Sequence, residues 1–189
     1  MQRRDFMIGA GASGLLASLV ALLGKGAAEA VPRLRPPGAL DEADFLARCI
    51  RCNRCAQVCP NDCIKFASLR EGLAQAGTPY IVPREQACML CMACTQVCPT
   101  GALQPIADRP EEILAKTAMG TAVIDPHFCY SHTGRTCGLC YEACPLQDVA
   151  ITLDTWEKPT IHPEYCVGCG LCERICYKIP QAVRVVPRA

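Results

Sequence analysis

The chain has 189 residues, a formal net charge of +1, 5% aromatic residues and seventeen cysteines. So few aromatics are too little for an ordinary apolar core of this length, and the near-neutral charge excludes a phosphate-tracking nucleic-acid binder. No glycine-rich phosphate loop, nucleophile with a base, or nicotinamide or flavin fingerprint is present, so the cysteines must carry both the fold and the chemistry.

In chain order, Arg3 and Arg4 precede a moderately apolar run from Met7 to Leu23, diluted by Gly9, Gly11 and Gly14, and Ala28-Glu29-Ala30 then supplies a small-x-small cleavage pattern. Residues 1–30 therefore read as a twin-arginine-type signal peptide, with Gln2 and Ile8 departing from the usual pattern. The competing reading keeps the apolar run as a membrane anchor, since it is about long enough to span a bilayer. Twin-arginine export moves folded chains, so thiols could meet iron in a reducing cytosol before crossing. Residues 31–40, VPRLRPPGAL, lack apolar periodicity and read as an extended linker. Asp41 to Arg48 reads as a short helix with Asp41 as its cap and Phe45 and Leu46 on its apolar side, leading into the first cysteine.

Four cysteine runs follow. The second is the clearest: Cys88, Cys91 and Cys94 stand at three-residue intervals, and Cys98 follows with Pro99 behind it. Run one, Cys49, Cys52, Cys55 and Cys59 with Pro60, repeats this spacing. Run three places seven residues, YSHTGRT, between Cys129 and Cys137, then continues with Cys140, Cys144 and Pro145; His132 in that insertion is the rival to Cys129 as a ligand. Run four is Cys166, Cys169, Cys172 and Cys176, with Tyr177 where the other runs have proline and with Gly168 and Gly170 allowing close backbone approach. A cubane cluster needs one thiolate on each of four irons, and ligands at every third residue wrap three corners while a distant cysteine serves a partner cluster, as in bacterial ferredoxins. Structural zinc needs neither the third cysteine nor the trailing Cys-Pro, and cysteines three apart are poor disulfide partners. The sixteen cysteines thus read as ligands, through cluster iron, of four [4Fe-4S] clusters. With four thiolates each, the clusters would add roughly two negative charges apiece and make the loaded protein acidic.

Two pairings of the runs stay open. Sequential pairing groups Cys49, Cys52, Cys55 and Cys98; Cys88, Cys91, Cys94 and Cys59; Cys129, Cys137, Cys140 and Cys176; and Cys166, Cys169, Cys172 and Cys144. Nested pairing joins run one to run four and run two to run three. Cys63 lies outside every run, as a small buried apolar residue or as a spare ligand or redox-sensitive thiol. Arg48, Arg51 and Arg54 crowd run one, either as a solvated face or as a patch that raises a cluster potential or docks a redox partner.

The rest is an internal repeat. Ile81-x-Pro83, Ile124-x-Pro126 and Ile161-x-Pro163 lead into runs two to four, and β-branched stretches at Ile64–Ala67, Val149–Leu153 and Val183–Val186 follow the cysteines. The interval around Trp156 reads as a hairpin, and Arg109 to Ala118 as a helix with Pro110 in its first turn. The fold class is α+β: two ferredoxin-like units of the bacterial two-cluster type, at 41–108 and 121–189, joined by a connecting helix at 109–120.

The twin-arginine start, PPGAL and FLARCIRC into run one, GTPYIVPR before run two, CPTGAL after Cys98, the widened gap after Cys129 and CPLQDVAITL together resemble the NapG/MauM family of exported ferredoxin-type proteins. That resemblance implies a periplasmic protein, with membrane association left open, that passes electrons from a membrane-bound quinol-oxidising iron–sulfur protein toward a periplasmic redox enzyme, such as nitrate reductase or a methylamine-utilisation system. It implies an electron-transfer subunit with no substrate chemistry of its own, no nucleic-acid partner and no small-molecule substrate. An assembly or maturation factor for a partner redox enzyme is the alternative.

Overall fold

The structure, a computed structural model, describes residues 32–188. The expected export signal lies outside them, and no helix among the described residues is long and apolar enough to cross a membrane.

Short elements alternate with cysteine loops. Helix α1 (Glu42–Arg48) runs into Cys49, whose amide closes the last turn on the Phe45 carbonyl at 2.8 Å, and the Phe45 side chain is fully buried. A one-turn helix α2 (Arg54–Gln57) follows, then strand β1 (Ile64–Phe66), which pairs antiparallel with β2 (Pro79–Ile81). After run two come α3 (Ala93–Gln96) and α4 (Pro110–Lys116); α4 starts on Pro110, whose missing N–H costs nothing there, and has Glu111 and Glu112 at its positive end. The second half repeats the plan with β3 (Gly120–Ile124), α5 (Leu139–Glu142), the hairpin β4 (Ile151–Asp154) and β5 (Lys158–Ile161), α6 (Leu171–Ile175) and β6 (Val183–Pro187). Strands β4 and β5 pair directly, turning through Trp156 at φ 67°, while β6 returns to β3.

The second half is thus closed by pairing its first and last strands. The first half is closed in the corresponding way by the stretch expected as a linker. Ala39 bridges Leu103, the Leu40 amide donates to the Ala102 carbonyl at 3.2 Å, and the Gln104 amide donates to the Gly38 carbonyl at 2.7 Å. Leu34, Arg35, Pro36 and Pro37 are buried, so residues 32–40 are extended but not a spacer. Apolar periodicity cannot reveal such a stretch, because its anchors are prolines, one leucine and an arginine.

The two halves share one body. The larger of two apolar clusters takes Phe45, Ile64, Ile81, Ile106 and Ile113 from the first and Val167 and Cys169 from the second, and a smaller one of Ala122, Ile151 and Val183 lies within the second. The Cys88 amide donates to the Cys169 carbonyl at 2.9 Å, Met119 to Val167 at 3.2 Å, and the Arg84 guanidinium to the Cys176 carbonyl at 2.6 Å. The connecting segment also ends earlier than its expected limit at 120, since Gly120 already belongs to β3.

Candidate metal centres

The sixteen cysteines of the runs line four cavities, four to each. Cys49, Cys52, Cys55 and Cys98 border the first; Cys59, Cys88, Cys91 and Cys94 the second, with Cys63 beside them; Cys129, Cys137, Cys140 and Cys176 the third; and Cys144, Cys166, Cys169 and Cys172 the fourth. This is the sequential grouping, in which the last cysteine of each run crosses to the partner run's cavity.

The local backbone explains how one loop reaches three corners. Residues flanking the middle cysteine are left-handed: Arg51 and Asn53 in run one (φ 58° and 62°), Leu90 and Met92 in run two (60° and 52°), Gly168 and Gly170 in run four (76° and 84°), and Gly138 after Cys137 in run three (60°). Each reversal swings successive cysteines to one side, and the second one starts the short helix. A left-handed non-glycine residue costs about 1–2 kcal/mol, so Arg51, Leu90 and Met92 hold strain that the surrounding packing must offset. In run four glycine is required for a second reason: a Cβ on Gly168 would meet the Gly120 backbone nitrogen at 2.4 Å, and one on Gly170 the Pro83 side chain at 2.4 Å.

Backbone amides point at the sulfurs. Leu90 N–H reaches Cys88 Sγ, Leu103 N–H reaches Cys98 Sγ and Ala122 N–H reaches Cys166 Sγ, all at 3.4 Å. Burial pushes seven of the sixteen thiols up, Cys55 to about 11 and Cys94, Cys140 and Cys169 to about 12 among them. Cys98 goes the other way: against the effect of burial, the Leu103 amide and the Thr100 hydroxyl hold it below the usual value. Buried thiols at these positions become thiolates only when a cation replaces the proton, so loading with metal must release protons.

The donor set fits a polynuclear group rather than a single ion. Among the described residues, no three His, Cys, Asp or Glu side chains converge where one metal ion could sit, and all seventeen cysteines are free thiols. Four sulfurs stand instead around each cavity, the arrangement that a cubane's four irons ask for. The wall of the third cavity also carries the Ser131 hydroxyl, fully buried and without a hydrogen-bond partner among the described residues, the orphan that a sulfide-bearing group would satisfy.

Both departures from regular spacing meet at the third cavity. The seven-residue insertion and Tyr177 border it together, with the Tyr130 and Tyr177 rings 5.4 Å apart and Lys178 Nζ 4.4 Å from the Tyr130 ring centre. His132, the rival ligand, lies outside the lining and contacts the Pro159 carbonyl at 3.3 Å. Arg48, Arg51 and Arg54 are all exposed, but the Arg51 guanidinium is engaged, donating to the Ala76 and Ala74 carbonyls at 2.7 and 3.1 Å.

The cavities form a row. Cys94 of the second lies within electrostatic reach of Cys55 of the first, and Cys172 of the fourth within reach of Cys140 of the third. The Cys88 to Cys169 hydrogen bond joins the second to the fourth. The order is first, second, fourth, third. Cys52 of the first cavity is the exposed member of the sixteen.

A family model described as a 4Fe-4S dicluster domain matches residues 48–102 and again 134–178. Over 165 residues the chain is 41% identical to the methylamine utilization ferredoxin-type protein MauM of Methylorubrum extorquens, covering 82% of this chain and 73% of that one. It is 39% identical over 168 residues to the ferredoxin-type protein NapG of Escherichia coli, covering 82% and 71%, and 37% identical over 181 residues to MauM of Paracoccus denitrificans, covering 90% and 79%. At these identities and spans, and with both dicluster matches falling on the paired runs, the chain belongs to the family of NapG and MauM ferredoxin-type proteins.

Proposed function

We propose that the chain is a periplasmic electron carrier that holds one [4Fe-4S] cluster in each cavity, on two units of bacterial two-cluster ferredoxin type. It takes electrons from a membrane-bound quinol-oxidising iron–sulfur protein and delivers them to a periplasmic redox enzyme. The observation that carries this reading is the unbroken row of four cavities, each ringed by four thiols. A cluster, when bound, supplies a couple whose potential depends on hydrogen bonds to its sulfurs and on solvent access. The chain's residues set both: Leu90, Leu103 and Ala122 supply amides, while Ile64, Ile81, Met92, Val167 and Ile151 keep water from the walls. Two cysteines are buried in each of the second, fourth and third cavities, Cys88 and Cys94, Cys169 and Cys172, and Cys129 and Cys140, and the exposed Cys52 with Ile50 marks the end at the first. Tyr177 and Ile179, both well exposed, mark the other. The MauM relatives' names refer to methylamine utilisation, and service to such a system or to a nitrate reductase is the biological setting this reading assigns.

Two measurements test it. Anaerobically purified protein should carry about sixteen iron and sixteen acid-labile sulfide atoms per chain, with reduced-state EPR of interacting cubanes; a content near eight would overturn the count of four. Reduction by a quinol-oxidising membrane fraction should keep pace with turnover, and a chain that stays oxidised there is not a carrier. For export, an Arg3→Lys, Arg4→Lys variant should accumulate in the cytoplasm, and undiminished periplasmic protein would refute the twin-arginine route.

A further inference from the structure

We propose that Cys63 is a reserve ligand of the second cavity, able to take the place of Cys59 on the same iron; the inference rests on the cluster reading above. The turn after Cys59 brings it there. Asp62, at φ 46°, closes the turn with its amide on the Cys59 carbonyl at 3.3 Å. The Asn61 side chain is locked between the Ala87 carbonyl at 2.7 Å and the Gln86 side-chain amide at 2.8 Å. Cys63 is thereby fixed with its Sγ 3.5 Å from Cys59 Sγ, 2% exposed, on the wall shared with Cys88, Cys91 and Cys94.

The internal repeat supplies the control. In each of the other three cavities, the residue just ahead of the paired segment that follows the run occupies the same kind of wall position, and it is an alanine: Ala102, Ala150 and Ala182. These are buried to 2–3%, like Cys63. The fold therefore asks only for a methyl group at this place, and packing does not account for the sulfur. The second cavity alone holds five thiols for four irons.

The exchange balances without any redox partner. The Cys59 sulfur leaves iron and takes up a proton as the Cys63 thiol loses one and binds as thiolate. One Fe–S bond breaks and one forms, one S–H bond breaks and one forms, and the iron oxidation states and total charge are unchanged.

The test compares full-length wild type with Cys59→Ala, Cys63→Ala, the double variant and Cys98→Ala, all purified anaerobically. Cys98 is the corresponding fourth ligand of the first cavity, but Ala102 stands behind it. Cys59→Ala and Cys63→Ala should each retain the wild-type iron content, with no three-iron EPR signal in the oxidised protein. Cys98→Ala and the double variant should lose between one iron and a whole cluster of about four. Cys59→Ala losing as much iron as Cys98→Ala would overturn the proposal, and that comparison decides even where the double variant fails to accumulate. A wild-type chain well short of about sixteen iron atoms would overturn the cluster reading, and this inference with it.

Discussion

Arg35 enters from a proline-rich stretch and ends with its charge buried. Its guanidinium donates to Glu42 Oε2 at 2.9 Å, to Thr78 Oγ1 at 3.0 Å and to the Pro79 carbonyl at 2.8 Å, and it lies 4.7 Å from the Phe45 ring centre. It thus ties residues 32–40 to α1 and to β2 in one step. Arg35→Ala should destabilise the chain by about 2–4 kcal/mol, below the full cost of a broken buried pair because Glu42 is a third exposed, measured as a lower urea midpoint for loss of the visible absorbance. A smaller clamp sits beside it at Glu71. The Ser68 amide first, and the Arg33 guanidinium second, hold its carboxyl down to about 2 from an ordinary 4.5. A carboxyl lowered on folding contributes stability above its unfolded value and loses it as pH falls through the folded one. The clamp should therefore be constant above about pH 4.5 and fade toward pH 2, and a Glu71 side-chain NMR titration with an ordinary midpoint would contradict it. Neither residue announces itself in sequence, because the distant partners that fix them lie 38 to 44 positions away.

The cysteine loops are the elements on which the fold turns; their spacing alone marked the sixteen candidate ligands, and the grouping of the runs around common cavities came only with the structure. Hairpins and loop entries were legible for the same reason: isoleucine two places ahead of proline marks where a strand must stop. Three things were not. Residues 32–40 act as a closing strand without a strand's alternation, the wall position of Cys63 depends on a turn pinned by Asn61, and the widened run three and proline-less run four meet only in space, at the tyrosine pair. Gly168 shows how little room the loops leave. Gly168→Ala combines a left-handed φ, costing about 1–2 kcal/mol, with a collision against the Gly120 backbone, which cannot yield without opening β3 from β6. The variant should lose iron from the fourth cavity and expose the β3 amides to hydrogen exchange. Full iron content with unchanged exchange would show that the two backbones need not touch.

For the whole molecule, the order of the row makes an asymmetric prediction. Cys169→Ala damages an inner cavity and should leave clusters on only one side of the break reducible by the membrane donor within a turnover. With the proposed donor docking at the exposed Cys52 end, Cys137→Ala damages the far, third cavity and should leave the other three reducible, as rapid-freeze EPR would show. Equal loss from both variants would mean that electrons do not follow the row. The closure of each half also governs how the protein can be made. Cavities one and two are complete once residues up to Gln104 have joined Gly38–Leu40, whereas three and four wait for β6 to return to β3. No run completes a cavity by itself. A growing chain can therefore gather all the thiols of the first two cavities while the second half is still being synthesised, and Val167 and Cys169 complete the shared core afterwards, so the cavities form in two natural stages and not four.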